Sequence, residues 1–220
     1  MKQKQLWLCL CFALTFLTGS VYVQAQSLSI GDGSTSNPVI PITMSTPDAV
    51  EGFVLSITFD ETNVVASDIL VAGAAVDNGA ELVVPKILPG EGVTLGVVMD
   101  FNAPYEGQMI PAGDDILIAE LVMSATTVLQ CGDSQTVDIL FEDGLGQPAL
   151  NNIVVSGGMS NSQAETLTLS NGSFTLVGTC SPMRVVSTQG APGDDTVDVA
   201  IAVDNADPVE GYVISLAHEA

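Results

Sequence analysis

The sequence predicts an all-β protein: an antiparallel β-sandwich of the jelly-roll type, followed by an incomplete second sandwich. Three observations predict this fold. Short apolar segments alternate with polar residues at a period of two, the repeat of a half-buried strand. Turn signals rich in Gly, Pro and Asn separate these segments, and almost nothing has helical periodicity. The spacing predicts about nine short strands, which is typical of a sandwich.

The first strand candidates show the alternation most clearly. Ile40, Ile42 and Met44 alternate with Pro41 and Thr43. The next strand has four positions expected to face inward: Phe53, Leu55, Ile57 and Phe59. Seven further strands are predicted at Leu82–Val84, Val93–Met99, Ile116–Ser124, Val137–Phe141, Ile153–Val155, Glu165–Leu169 and Gly172–Val177.

Residues 1–25 are predicted to be a secretory signal peptide. Lys2 and Lys4 precede an apolar run over residues 6–17, and the small residues before Gln26 predict cleavage after Ala25. The run is short for a membrane span. We therefore expect a secreted protein, extracellular or at the cell surface, with no membrane insertion after cleavage. An uncleaved N-terminal anchor is the alternative.

An internal repeat divides the remaining chain. Residues 48–57 (DAVEGFVLSI) are echoed by residues 207–216 (DPVEGYVISL) at an offset of 159. Self-similarity at this spacing indicates tandem modules. The first module is predicted at residues 26–178, a linker at 179–182, and the start of a second, truncated module at 183–220. So short a second module cannot bury a sandwich core, so we expect the sequence to be a fragment.

The charge excludes some partners. Removing Lys2 and Lys4 takes the formal net charge from −22 to −24, with only Lys86 and Arg184 left as basic residues. Such a surface repels phosphate backbones and anionic lipids, which argues against nucleic acid and membrane-surface binding.

Two cysteines, Cys131 and Cys180, remain after cleavage, and in an exported chain they are expected to form a disulfide. Two free thiols are the alternative. Two cysteines alone cannot complete a zinc site.

The first module resembles a cohesin domain. The resemblance is carried by residues 38–44, Val50-Glu51-Gly52-Phe53, Thr58-Phe59-Asp60, residues 96–100 and the Ile110-Pro111-Ala112-Gly113 turn, and it ends with residues 171–177. It covers nearly all of the first module and the start of the second. The sequence is more acidic than the better-known cohesins and carries longer polar loops.

The resemblance implies binding through a flat sheet face, with a dockerin-like module as partner and no cofactor in the cohesin itself. Members of the family bind largely through strands after the Thr58-Phe59-Asp60 segment. Carried over to this sequence, the candidate partner-binding residues are Asp77, Asn78 and Asp100. Ordinary solvated loop residues are the alternative interpretation of all three.

No catalytic chemistry is predicted. The single histidine is His218, so a serine or cysteine nucleophile in the first module has no histidine base. No metal site is predicted. Calcium remains open at Asp32, Asp114-Asp115 and Asp194-Asp195, but these lack a twelve-residue calcium loop, and solvated acidic turns are the preferred interpretation.

Three hypotheses for function follow. The first is a non-catalytic scaffold module that docks a dockerin-like protein and is linked to extracellular polysaccharide binding or breakdown. The second is a carbohydrate-binding module of an exported polysaccharide-degrading or adhesive protein. The scarcity of Trp and Tyr after residue 25 disfavours it, because aromatic faces carry sugar stacking. The third is a structural spacer of a surface protein.

Overall fold

The computed structural model describes residues 26–162, 167–179, 183–185 and 201–203, together with Val213. The predicted signal peptide lies outside these residues. The elements in chain order are β1 Ser27–Ile30, β2 Asp32–Ser34, β3 Val39–Thr46, β4 Val50–Phe59, β5 Val64–Val71, α1 Ala74–Asp77, β6 Leu82–Leu88, β7 Gly92–Val98, β8 Gly113–Ala125, β9 Ser134–Phe141, β10 Ile153–Ser156, β11 Met159–Ser162, β12 Thr168–Ser170, β13 Gly172–Val177, β14 Met183–Val185 and β15 Ile201–Val203.

Residues 26–162 and 167–177 form two sheets packed as a sandwich, which confirms the predicted all-β sandwich fold, while the second sandwich stays a prediction. The smaller sheet has the order β12–β1–β3–β8–β5. In the larger sheet β6 pairs with β7, β7 with β4, β4 with β9, β9 with β13, and β13 with β2. The sheets are mixed, because β1 pairs in parallel with β12 and β2 in parallel with β13. These pairings join the start of the module to its end.

The core lies between the two sheets and follows the alternation in the sequence. The predicted inward residues of β3 are fully buried, and those of β4 are at most 8% exposed. Phe53 and Phe174 are the largest of the fully buried side chains. Complete burial of side chains of this size stabilises a fold by about 1.5–3 kcal/mol each.

Strand β4 is paired along one edge by two strands in succession. β9 pairs with it at residues 57–59 and β10 at residues 50–54, so β10 continues the line of β9 after the excursion of residues 142–152. Asn152 fills the gap between them. Its side chain accepts the Ser56 N–H at 2.8 Å and donates to the Ser56 carbonyl at 3.1 Å, taking the place of a strand partner.

The predicted disulfide and the predicted second module are each described only in part. Cys131 is disulfide-bonded, while Cys180, its predicted partner, lies outside the described residues. Of the predicted second module, β14 and β15 are described, and they pair antiparallel.

Among the residues that the structure describes, no helix is long and apolar enough to cross a membrane.

Candidate functional site

The outer face of the larger sheet divides into a polar half and an apolar half. On the polar half, β9, β13 and β2 present Thr136, Asp138, Ser173, Thr175 and Asp32. On the apolar half, β10, β4, β7 and β6 present Val, Ile, Leu and Gly in two rows, and a polar row of Ser56, Thr94 and Lys86 borders them. Outward strand positions normally carry polar residues, so the apolar half is the unusual one.

Two cross-strand rows form the apolar half. In one, Ile153 pairs with Val54, Val54 with Gly96, and Gly96 with Val84. In the other, Val155 pairs with Gly52, Gly52 with Val98, and Val98 with Leu82. Directly opposed residues share a face of the sheet. Residues alternating with them, such as Phe53, Val97 and Val154, lie in the core, so both rows point outward.

The two glycines of these rows have different roles. A side chain at Gly96 would meet only the Val84 Cβ, at 4.0 Å, so Gly96 leaves an open floor between Val54 and Val84. A Cβ at Gly52 would lie 2.5 Å from the Val97 carbonyl oxygen, so Gly52 allows β4 to approach β7 closely. The rows are therefore a low, flat surface, with Val84 52% and Val98 36% exposed.

A cleft of about 580 Å³ opens at one end of this apolar half, and we call it the Val98 cleft. Gly52, Val54, Val98 and Val155 form its floor. Its rim carries Glu51 and residues from the loop that follows β7, namely Asp100, Gly107, Gln108 and Met109. This loop also exposes Phe101, Tyr105 and Met109, at 53%, 74% and 41%.

Carboxylates hold the loop of residues 100–109 in place. Glu81 Oε2 accepts the backbone N–H groups of Phe101 and Asn102. Asp100 Oδ2 accepts the Gly107 N–H at 2.7 Å. The N–H groups of Asn102 and Phe101 lower the pKa of Glu81 below its ordinary value, because they stabilise the ionised form. The loop that forms the rim is therefore fixed by a charged group.

A second depression, of about 340 Å³, lies on the other side of Val54. Val84, Thr94 and Gly96 line it from the sheet, and Pro148 and Leu150 of the 142–152 excursion line it from the side. The excursion is anchored by the Gly146 N–H, which donates to Glu91 Oε2 at 3.0 Å, and by Asn152. Val54 thus stands between two depressions.

The structure separates the three predicted partner-binding residues. Asp100 lines the Val98 cleft. Asp77 and Asn78 end the short helix α1, which packs beside β8 of the smaller sheet. Asn78 Nδ2 donates to the Ala74 carbonyl at 2.7 Å, so its side chain closes the helix. The structure brings neither of them to the Val98 cleft.

Sequence reasoning missed the apolar rows, although a signal for them was present. Val54 and Val98 occupy positions that alternate with buried residues, and a valine at an outward position marks a surface that is not merely solvated.

The metal and calcium interpretations have little support in geometry. Within the described part of the chain, no three His, Cys, Asp or Glu side chains come together so that they could hold a metal ion. Asp115 lies near the start of β8, where its N–H donates to Ser45 Oγ. Asp32 Oδ1 accepts the hydroxyl of Ser173 at 2.8 Å. Asp194 and Asp195 lie outside the described residues.

Comparison with solved structures identifies the fold. No model of a protein family and no curated protein matches the sequence. One similar solved structure is a type I cohesin–dockerin complex, Coh-OlpC–Doc435, from Clostridium thermocellum. The match has 11% identity and a TM-score of 0.51, and it covers 70% of this chain and 95% of that one.

Another similar structure, from Acetivibrio cellulolyticus, is cohesin number three of ScaC in complex with the ScaB dockerin. The match has 12% identity and a TM-score of 0.50, and it covers 70% of this chain and 99% of that one. A further similar structure is CaCohA2 from Clostridium acetobutylicum. The match has 19% identity and a TM-score of 0.50, and it covers 71% of this chain and 93% of that one. The first module has the fold of a cohesin, as the resemblance in the sequence implied.

Proposed function

We propose that this chain is a secreted, non-catalytic scaffold protein whose first module docks a dockerin-like protein partner through the apolar half of its larger sheet. Two similar cohesins were solved in complex with dockerins. The observation that carries the proposal is the pair of outward-facing rows centred on Val54, Gly96 and Val98. A contiguous apolar patch on a sheet face marks an interaction surface.

The surroundings of the rows support protein docking. Interfaces obtain much of their binding free energy from a few large side chains that become buried. The loop beside the Val98 cleft offers Phe101, Tyr105 and Met109 in exposed positions. The polar half of the same face supplies hydroxyl and carboxylate groups, such as Thr136 and Asp138, that suit a hydrogen-bonding rim.

Secretion and a link to polysaccharides belong to the same proposal. The signal-peptide pattern of residues 1–25 supports export. An exported scaffold that carries dockerin-bearing enzymes would act on extracellular polysaccharide. We attribute the sugar contact to the docked enzymes and not to this module, because the apolar rows present valines and glycines and no row of aromatic faces.

A binding panel tests the proposal. The full chain is immobilised and exposed to purified dockerin modules, including Doc435 and the ScaB dockerin, with and without calcium, and to a matching panel of soluble and insoluble polysaccharides. We expect saturable binding of at least one dockerin with no sugar retention. Sugar retention without dockerin binding would make the chain a carbohydrate-binding module, and no binding in either panel would favour a structural spacer.

A further inference from the structure

Two residues that line the Val98 cleft each carry a side-chain oxygen that lacks a hydrogen-bond donor. Asp100 Oδ1 and Gln108 Oε1 are both buried, and no described residue donates a hydrogen bond to either oxygen. Glu51, which also lines the cleft, uses Oε1 to accept the Gly158 N–H at 3.1 Å. Buried acceptors without donors leave a negative potential that no protein group compensates.

No cation of the module offsets this potential. Among the described residues that line the cleft, none is basic. Lys86 is the single basic residue between residues 26 and 178, and it lines the separate depression on the other side of Val54. Apolar walls around carboxylates focus the field into the cleft, because they keep the local dielectric constant low.

The floor of the cleft specifies the rest of the ligand. It is formed by Val54, Val98, Val155 and the backbone of Gly52, with Met109 above it. An apolar surface that leads to carboxylates suits a side chain with an aliphatic stem and a cationic head. A calcium ion would require six to eight oxygen ligands, and this floor supplies none from its side chains.

We infer that the Val98 cleft receives a lysine or arginine side chain of the docking partner, with the stem on Val98 and Met109 and the cationic head beside Asp100 and Glu51. The inference rests on the proposed docking function and specifies the chemistry of the partner. The partner must present a basic residue at this end of its interface, next to apolar residues that cover the two rows.

A fragment titration tests the cleft without requiring the partner. The full chain, labelled with ¹⁵N and methyl-¹³C, is titrated with n-butylguanidinium, and separately with 1-butanol as a neutral fragment with the same stem. We expect the cation to shift the methyl signals of Val98, Val155 and Met109 saturably and to bind at least about threefold more tightly than the alcohol. Added NaCl should weaken the binding of the cation and leave that of 1-butanol unchanged.

Three variants sharpen this test. Asp100→Asn and Glu51→Gln remove one charge each, and both retain an oxygen that can accept the existing backbone hydrogen bond. We expect each to weaken guanidinium binding by about threefold or more. Asp138→Asn is the matched control, because its carboxylate lies on the polar half of the same face and lines a different groove. Unchanged amide spectra away from the cleft verify that each variant is folded.

Several outcomes would overturn the inference. These are equal binding of 1-butanol and the cation, shifts that map to Asp138 instead of Val98, or a calcium chloride titration that shifts the cleft signals while n-butylguanidinium does not.

The dockerin panel separates the cationic cleft from the docking function. A dockerin that binds the Asp100→Asn and Glu51→Gln variants as tightly as the parent keeps the docking function and refutes the cationic cleft. Guanidinium binding in the cleft without any dockerin binding refutes the docking function instead.

Discussion

Replacing Asn152 with alanine tests the interrupted strand that shapes the candidate docking face. Asn152 is fully buried, and its amide is the partner that the structure gives to the Ser56 N–H. The Ser56 carbonyl would retain the Glu142 N–H at 3.0 Å. The truncation therefore leaves one buried backbone donor unpaired, which costs about 1–3 kcal/mol.

The small cavity and the lost hydrogen bond to Asp143 add to that cost. We therefore expect Asn152→Ala to lower the free energy of unfolding by about 2–4 kcal/mol. For a chain of this size, this corresponds to a fall in Tm of about 5–15 °C. Thermal unfolding followed by circular dichroism, together with urea titration, measures both quantities.

Asn151→Ala is the matched control. Asn151 is the exposed neighbour of Asn152 and undergoes the same chemical truncation. We expect it to stay within about 0.5 kcal/mol of the parent. If Asn152→Ala unfolded at the same temperature as Asn151→Ala, the amide would not be replacing a strand partner, and our explanation of how β9 and β10 share β4 would be wrong.

Three further predictions concern stability. Gly52→Ala should destabilise the module by about 1–3 kcal/mol, because its Cβ would meet the Val97 carbonyl. Gly96→Ala should be neutral or stabilising by up to about 1 kcal/mol, because its Cβ would meet only the Val84 Cβ, at 4.0 Å. Urea titrations compare the free energies of unfolding of the two variants. Glu81→Gln should lower Tm at pH 7, and the difference from the parent should shrink as the pH falls below about 4.3 and vanish once the pH passes the lowered native pKa of Glu81. The sign follows from the lowered native pKa of Glu81, which stabilises the fold above that pH and loses the effect as the carboxylate protonates; melts from pH 7 to pH 3 would refute it if the difference stayed constant. Reducing the disulfide of Cys131 should lower Tm by about 10 °C, a magnitude that takes the predicted partner Cys180 for the length of the closed loop. A thiol assay of the unreduced protein should detect no free thiol at Cys131.

The regular strands could be predicted from the sequence because their side chains obey a period of two. β4 is the clearest case, with its predicted inward residues buried. β5 was missed because its pairing with β8 shifts register between Ala66 and Asp68. A bulge of this kind adds a residue and breaks the alternation. β1 and β2 were also missed, because they are short and are fixed by parallel pairing with β12 and β13.

The candidate site was predictable only in part, for a related reason. Asp100 could be predicted as a candidate partner-binding residue from its position at the end of a strand. The apolar rows depend on which of two alternating sets faces the core, and on pairing between strands that are distant in the sequence. Gly96 becomes an open floor only because Val54 and Val84 lie on either side of it. No local pattern contains that arrangement.

The most direct test of the account is dockerin binding to a chain whose docking face carries one added charge. Gly96→Glu places a carboxylate on the docking face, at a position where the added Cβ would meet only the Val84 Cβ, at 4.0 Å. Leu70→Glu is the control, because Leu70 is 44% exposed on β5 of the smaller sheet. We expect Gly96→Glu to weaken binding of a dockerin from the panel by about tenfold or more, since burying a carboxylate in an apolar interface costs free energy that Lys86, in the same depression, offsets only in part. Leu70→Glu should bind like the parent, and equal binding by Gly96→Glu would contradict the assignment of the docking face.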